Sequence, residues 1–297
     1  MQSHPCPKCR TESSLAYSAA DYNKKMSDVV FDYYRCPRDG IIFVDPVPDN
    51  LGHYYPEDYY AVPTTQEELA RQAEDLQWWK LDTLLSVKKS GRMLEIGPAY
   101  GLFAFLAKRA GFAVTGIEMD ARCCDFLRNM VGIDVVETSD TLGALEGLGQ
   151  FDAIVMWQVI EHLPDPWSTL EAAAKHLAPG GVLILDTPNP AAFQFKVLGH
   201  RWAHLDAPRH VILIPEKVMT EHVGKHGLAP EVLTASNVSA NGFNGFGWGF
   251  TFSNFVGDNP LGRFVNFAGR ALAKVLIPIE RTGWRGSTYT AIYRKQG

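Results

Sequence analysis

Leu94-Glu95-Ile96-Gly97-Pro98-Ala99-Tyr100-Gly101 sets an acid and two glycines directly after an apolar run. Glycines let a backbone turn sharply and approach a ligand, and a following helix N-terminus presents unpaired N–H groups. Ala99 stands where a dinucleotide-binding Gly-x-Gly-x-x-Gly turn has a glycine. Glu118 closes a second apolar run 21 residues after Gly97, where a carboxylate can accept from both ribose hydroxyls. The pair predicts a nucleoside-bearing cofactor; a tight turn beside a surface carboxylate is the plainer alternative.

Other residues could move protons. Glu161-His162 follows the apolar run Phe151–Trp157, which puts it on the rim of a sheet where ligands bind. His162 is a candidate general base, with a helix-capping role as the alternative. The segment from His200 to His210 adds His204 near Asp206, and His210 beside Arg209, either of which could deprotonate an acceptor. A solvated loop with one packing histidine is the competing reading. His162 and His210 are taken as the catalytic candidates.

Cys6-Pro7-Lys8-Cys9 and Cys36-Pro37-Arg38-Asp39-Gly40 resemble two zinc-ribbon knuckles. Cys6, Cys9, Cys36 and Asp39 could share one tetrahedral zinc, with His4 another candidate fourth ligand. A ribbon that keeps its shape without metal is the alternative. Cys123 and Cys124 fall on a predicted helix and read as ordinary buried or flanking thiols.

The elements that must position these groups alternate. Strands are predicted at Arg92–Ile96, Ala113–Glu118, Ile133–Val136, Phe151–Trp157 and Val182–Asp186, separated by helices at 101–110, 121–130 and 166–177. A turn is read at Pro179-Gly180-Gly181. Such alternation implies right-handed crossovers and a doubly wound, mostly parallel, seven-stranded α/β sheet of Rossmann-like type. A helix at 66–89 precedes it. A helix at Pro215–His226, a strand at Glu231–Ser236, an apolar helix at Leu261–Ile279 and a last strand at Ser287–Arg294 follow. Residues 1–62 read as a small N-terminal module and 63–297 as the main domain, with substrate-cap insertions at 189–214 and 238–285. Within the second insertion Phe243, Phe246, Trp248 and Phe250 could line an apolar or sugar-stacking pocket.

The 297 residues carry 28 basic and 33 acidic side chains, a net charge of −5 that gives no electrostatic footprint for nucleic acid. No run of about 18 apolar residues reads as a membrane span. Five cysteines without a signal-peptide pattern make the cytoplasm the default compartment. Leu261–Ile279 reads as a core or dimer-contact helix, so a homodimer is one expectation. Its Arg263, Arg270 and Lys274 leave an interfacial helix near a lipid-linked acceptor as another.

Glu95-Ile-Gly97-Pro-Ala-Tyr-Gly101, Gly116-Ile-Glu118, Phe151–Pro166 and Leu177-Ala-Pro-Gly-Gly181 together resemble the class I S-adenosylmethionine-dependent methyltransferases. Within them the chain is similar to the branch related to the ubiquinone-biosynthesis O-methyltransferases, over about residues 75–237. The resemblance implies that Glu95, Gly97, Ala99 and Gly101 line the methionine end of S-adenosylmethionine, and that Glu118 holds the ribose. It implies that Met119 covers an adenine face and that Thr138 and Ser139 lie at the adenine edge, where many members instead have an Asp after a Gly. Trp157 and Gln158 are implied beside the sulfonium methyl. In that branch the acidic-His neighbourhood is also associated with a divalent metal. Related enzymes with such N-terminal modules act on sugars and other small metabolites. The reading is therefore methyl transfer to a hydroxyl or activated carbon of a small acceptor, with sugar- or lipid-linked intermediates included. A nicotinamide-dependent oxidoreductase and a non-catalytic protein that retains the cofactor pocket are the alternatives.

Overall fold

A computed structural model of the chain describes residues 3–56, 62–256 and 259–297. β1 (Ser14–Ala20), β2 (Val30–Arg35) and β3 (Ile42–Val44) pair antiparallel in an N-terminal sheet. α1 (Gln66–Val87) leads to β4 (Gly91–Ile96), α2 (Leu102–Arg109), β5 (Phe112–Glu118), α3 (Ala121–Phe126), β6 (Asp134–Glu137) and α4 (Thr141–Glu146). Next come β7 (Phe151–Trp157), α5 (Pro166–His176), β8 (Leu177–Pro188), α6 (Phe193–Leu198), β9 (Ile212–Leu213) and α7 (Glu216–Gly224). The chain ends with β10 (Leu228–Thr234), α8 (Val238–Val256), α9 (Pro260–Glu280) and β11 (Thr288–Lys295).

The main sheet has seven strands in the order β10-β11-β8-β7-β4-β5-β6. The pairs from β8 through β6 are parallel, and β11 runs antiparallel to both β8 and β10. Its centre is β7, whose Ala153, Ile154, Val155 and Met156 are fully buried, as a strand covered on both faces requires. Aspartates cap the helices that leave these strands: Asp120, Asp140 and Asp165 each accept from a backbone N–H of the first turn, and Pro166 follows its cap directly.

Several elements depart from the sequence reading, among them the unexpected helices α4 and α6. The turn expected at Pro179-Gly180-Gly181 is a bulge inside β8: Phe151 pairs with Leu177 and Ala153 with Val182. The helix after β5 leaves α geometry at Leu127 and closes with a π turn to Val131. The Gly, Asn and aromatic stretch beyond residue 238, assigned no element from sequence, is the 19-residue helix α8 packed against α9.

The fourth strand of the N-terminal sheet comes from far along the chain. β9 lies in the segment after β8 and pairs with β3, Ile42 opposite Leu213 and Phe43 opposite Ile212. Residues 3–56 are thereby stitched to the rim of the main sheet. Among the described residues, no helix is long and apolar enough to cross a membrane.

Candidate cofactor and acceptor site

The turn after β4 is shaped by left-handed backbone. Gly97 and Gly101 have φ of +70° and +77°, and a Cβ on Gly97 would stand 2.7 Å from Val159 Cγ2. Only glycine meets both demands there. Ala99 also takes a positive φ, 51°, and its N–H donates to Glu118 Oε2 at 2.9 Å. The other Glu118 oxygen accepts from the N–H groups of Met119 (2.8 Å) and Asp120 (3.0 Å). Thr138 N–H donates to the Glu118 carbonyl and Gly97 N–H to that of Ile117. Met119, Thr138, Ser139 and Glu118 therefore meet the turn residues Gly97, Ala99 and Gly101 at the adjoining ends of β4, β5 and β6. Met119 is exposed, as is Ser139, while Thr138 is half-buried.

Glu95, Gln158 and Trp157 occupy the next strand ends, with partners that the motifs did not announce. Burial pushes Glu95 up to about 7, with the Lys80 ammonium opposing and Glu118 reinforcing, and its Oε2 has no hydrogen-bond partner among the described residues. Lys80 reaches in from α1, its Nζ 5.4 Å from the centre of the Trp157 ring and 5.7 Å from that of Trp79. Burial lowers the Lys80 pKa against the pull of Glu95 and Asp186. Trp157 packs edge-on against both Trp79 and Phe103. Gln158, at φ +57°, donates through its backbone N–H to the Asp186 carbonyl and through Nε2 to the Asp186 carboxylate. Thr290 and Ser239 donate to the same carboxylate, which burial nevertheless lifts to about 6. Asp186 ends the apolar run of β8, and that position is the signal by which sequence could have found it. Lys80 carries no such signal.

The turn after β7 brings Glu161, His162 and His210 together, each with one ligand atom within 4.8 Å of the others. His162 Nδ1 lies 2.9 Å from the Arg209 carbonyl and 2.9 Å from the Tyr55 hydroxyl. A carbonyl can only accept, so Nδ1 carries the proton and Nε2 keeps the basic lone pair. His210 is fixed the same way by the His204 carbonyl at 2.9 Å, and its ring meets that of His162 edge-on at 4.6 Å. Its Nε2 stands 4.0 Å from Glu161 Oε1 and 3.9 Å from Asp206 Oδ2. Burial lowers both imidazoles, His210 to about 3, so both are neutral at physiological pH. Glu161 is fully buried and pushed up to about 8, so it is protonated there. His204, the other histidine candidate of this segment, turns its Nε2 to the Phe243 carbonyl.

An acid with an unpartnered buried oxygen, beside a glycine turn and a second acid at the next strand end, fits a ligand bearing both a cation and vicinal hydroxyls. Residues 60–231 match the family model described as a methyltransferase domain. The chain belongs to this methyltransferase family. Among curated proteins it is similar to the ubiquinone biosynthesis O-methyltransferase of Xanthomonas oryzae pv. oryzae, 35% identical over 126 residues that cover 40% of this chain and 52% of that protein. The enzyme of the same name from Pseudomonas aeruginosa is 32% identical over 126 residues, covering 40% and 54%. The chain spans about half the length of these curated relatives. Its fold is similar to that of a SAM-dependent methyltransferase from Archaeoglobus fulgidus, with a TM-score of 0.51 and 16% identity over 77% of this chain and 97% of that one.

The methyltransferase has a second cluster outside the main sheet. Cys6, Cys9, Cys36 and Asp39 each offer a ligand atom within 4.8 Å of the others. Cys9 Sγ and Cys36 Sγ are 3.5 Å apart, the Asp39 N–H donates to Cys36 Sγ, and Asp39 Oδ2 is buried with no hydrogen-bond partner among the described residues. Burial pushes the Cys6 thiol up to about 12. Three sulfurs and an orphaned carboxylate oxygen fit one tetrahedral zinc, whose charge would reverse that penalty. His4 is engaged elsewhere: its Nδ1 is 2.7 Å from Asp45 and its ring stacks on Tyr34. Cys123 and Cys124 are buried free thiols.

Proposed function

We propose that this methyltransferase methylates a hydroxyl of a small-molecule acceptor, and that His162 takes the hydroxyl proton. The observation that carries the reading is the tautomer of His162: Nδ1 is committed to the Arg209 carbonyl, so the basic Nε2 of a neutral imidazole is available on the rim beside the cofactor strands. His210, held behind it by the His204 carbonyl, positions the first ring. The O-methyltransferase names of the curated relatives support a hydroxyl over a carbon or nitrogen acceptor. Sugar-linked and lipid-linked hydroxyls belong to the same class.

The residues that would hold S-adenosylmethionine are Glu95, Gly97, Ala99 and Gly101 at its methionine end, Glu118 at the ribose and Met119, Thr138 and Ser139 around adenine. Trp157 and Gln158 bound the methyl. When bound, the cofactor supplies a methyl carbon already activated by positive sulfur. Glu118 enters this arrangement with its carboxylate fixed by three backbone N–H groups, so little reorganisation is needed. Cys6, Cys9, Cys36 and Asp39 would hold a structural zinc, since four protein ligands leave no open position for catalysis.

The test is transfer of a labelled methyl group from S-adenosylmethionine to a panel of phenols, sugars, amines and activated-methylene compounds, with each product resolved by mass. Label appearing as an ether on hydroxyl acceptors is the expected result. Label confined to nitrogen or carbon overturns the acceptor class. Calorimetry should show S-adenosylhomocysteine binding; binding of NAD in its place would overturn the cofactor assignment.

A further inference from the structure

α9 shows three distinct faces along its length. Gly262, Gly269, Ala273 and Glu280 are buried and form the stripe turned toward the protein. Each is followed in sequence by a base, Arg263, Arg270, Lys274 and Arg281, so the four cations run in a single row beside that stripe. The remaining arc is apolar and turned to solvent: Leu261, Phe264, Phe267, Leu272, Val275 and Ile279, with Phe264, Phe267 and Val275 exposed by 65%, 71% and 73%. The helix sequence contains one acid, Glu280, and it is buried, where its carboxylate accepts from Trp248 Nε1 and Gln194 Nε2. Arg270 and Arg281 hydrogen-bond the neutral side chains of Asn266 and Asn241, which leaves their charge uncancelled.

We propose that this outward face of α9 seats on an anionic lipid surface, which brings the cap of the methyltransferase to the membrane interface. Large aromatic and branched side chains enter the acyl boundary, while a flanking row of Arg and Lys meets phosphate headgroups. The row is basic in a chain whose net charge is −5, so it does not reflect a generally cationic protein. Charge decides against a second copy as the occupant. Antiparallel packing of the apolar faces of two such helices would bring the rows of cations together, and parallel packing would set each row beside a flank with no exposed acid to pair it.

The experiment is co-sedimentation of the full chain with vesicles of phosphatidylcholine containing phosphatidylglycerol, and with vesicles of phosphatidylcholine alone. Binding is expected to the anionic vesicles and to weaken as salt is raised. The combined Arg263→Glu, Arg270→Glu, Lys274→Glu variant should bind about a hundredfold more weakly. Phe264→Ser with Phe267→Ser should lose binding even at low salt. These side chains are exposed, so unchanged affinity for S-adenosylhomocysteine verifies that the variants fold. Absence of wild-type binding to anionic vesicles, or equal binding by the charge-reversed variant, overturns the proposal. So does sedimentation equilibrium showing a dimer that the two serine substitutions dissociate while vesicles remain unbound.

Discussion

Arg209 and Asp21, 188 residues apart in sequence, form a completely buried ion pair with 2.7 Å between Nη2 and Oδ1. Asp206 takes the same guanidinium at 2.7 Å, and Tyr54 offers its carbonyl at 3.0 Å. The network fastens the β1–β2 connection to the rim segment that carries His204 and His210. Asp21→Asn weakens one charge-assisted pair while Asp206 still holds the guanidinium, so it should destabilise the fold by about 1–3 kcal/mol. Arg209→Met should cost more, about 3–5 kcal/mol, because it strips both Asp21 and Asp206 of their common partner. Urea unfolding measures both, and equal midpoints for wild type and Asp21→Asn would refute the role. Burial alone would raise Asp206, but Arg209 and His210 bring it down to about 2. Its stabilising contribution is therefore complete above the unfolded value of about 3.9 and is lost as pH falls toward the folded one.

Cofactor affinity should depend on Glu95. Burial keeps this carboxyl protonated up to about pH 7. The amino group of S-adenosylhomocysteine favours the ionised form, so binding should release a proton. Affinity is then expected to climb as pH rises from about 5.5 and to level off above about 7.5. Calorimetry in buffers of different ionisation enthalpy reads the released proton directly. Glu95→Gln should flatten the profile; a profile unchanged by that substitution would place the cofactor's amine elsewhere. Glu118→Ala should weaken binding about 10- to 100-fold through lost charge-assisted hydrogen bonds.

The parts of this site that sequence revealed are those made by consecutive residues. Gly97, Gly101 and Glu118 are legible because a turn and the end of the next strand are fixed by local backbone demands and by one crossover. Lys80, Tyr55 and Asp21 were invisible because each reaches its partner only after α1 or the N-terminal sheet has folded across the rim. β9 is two residues long, and no periodicity marks a strand so short. α8 escaped for a different reason. Gly242, Gly245, Gly247 and Gly249 each disfavour helix, and the packing that offsets them comes from α9 at Gly249 and from Gln194 and His204 at Gly247.

His162→Ala should lower kcat by about 10²- to 10⁴-fold, the usual share of a positioned base. Burial lowers the pKa of His162 below 6.5, so kcat/KM should rise with pH through an acidic value and stay flat across neutrality. His210→Ala should also slow turnover, because the ring that packs edge-on against His162 is gone. A helix-capping role alone for His162 predicts lost stability with the acidic limb unmoved. The pH profile of each variant separates the two.

One zinc per chain should be found by elemental analysis of protein purified without chelator. Cys9→Ser should release it and destabilise the N-terminal sheet by more than about 4 kcal/mol, as loss of a structural metal does. Thermal unfolding with and without a chelator provides the measurement. Full stability of metal-free protein would mean that the knuckles hold their shape by packing alone.

Gly269 packs so close to α8 that a Cβ built on it would lie 2.8 Å from Gly249 Cα and 2.8 Å from the Trp248 carbonyl oxygen. Those atoms are backbone and cannot yield by a rotamer change. The contact explains glycines inside two long helices: each costs about 1 kcal/mol of helix propensity, and backbone proximity compensates. Gly269→Val should therefore destabilise the protein by about 1–3 kcal/mol through overpacking, although valine is no worse a helix former than glycine. At Ala271, which is exposed on the same helix, the same side chain should cost under about 0.5 kcal/mol. Chemical denaturation of the two valine variants compares them directly. Because the hairpin hands Ser239 to Asp186, Gly269→Val should also weaken S-adenosylhomocysteine binding, while Ala271→Val leaves it unchanged.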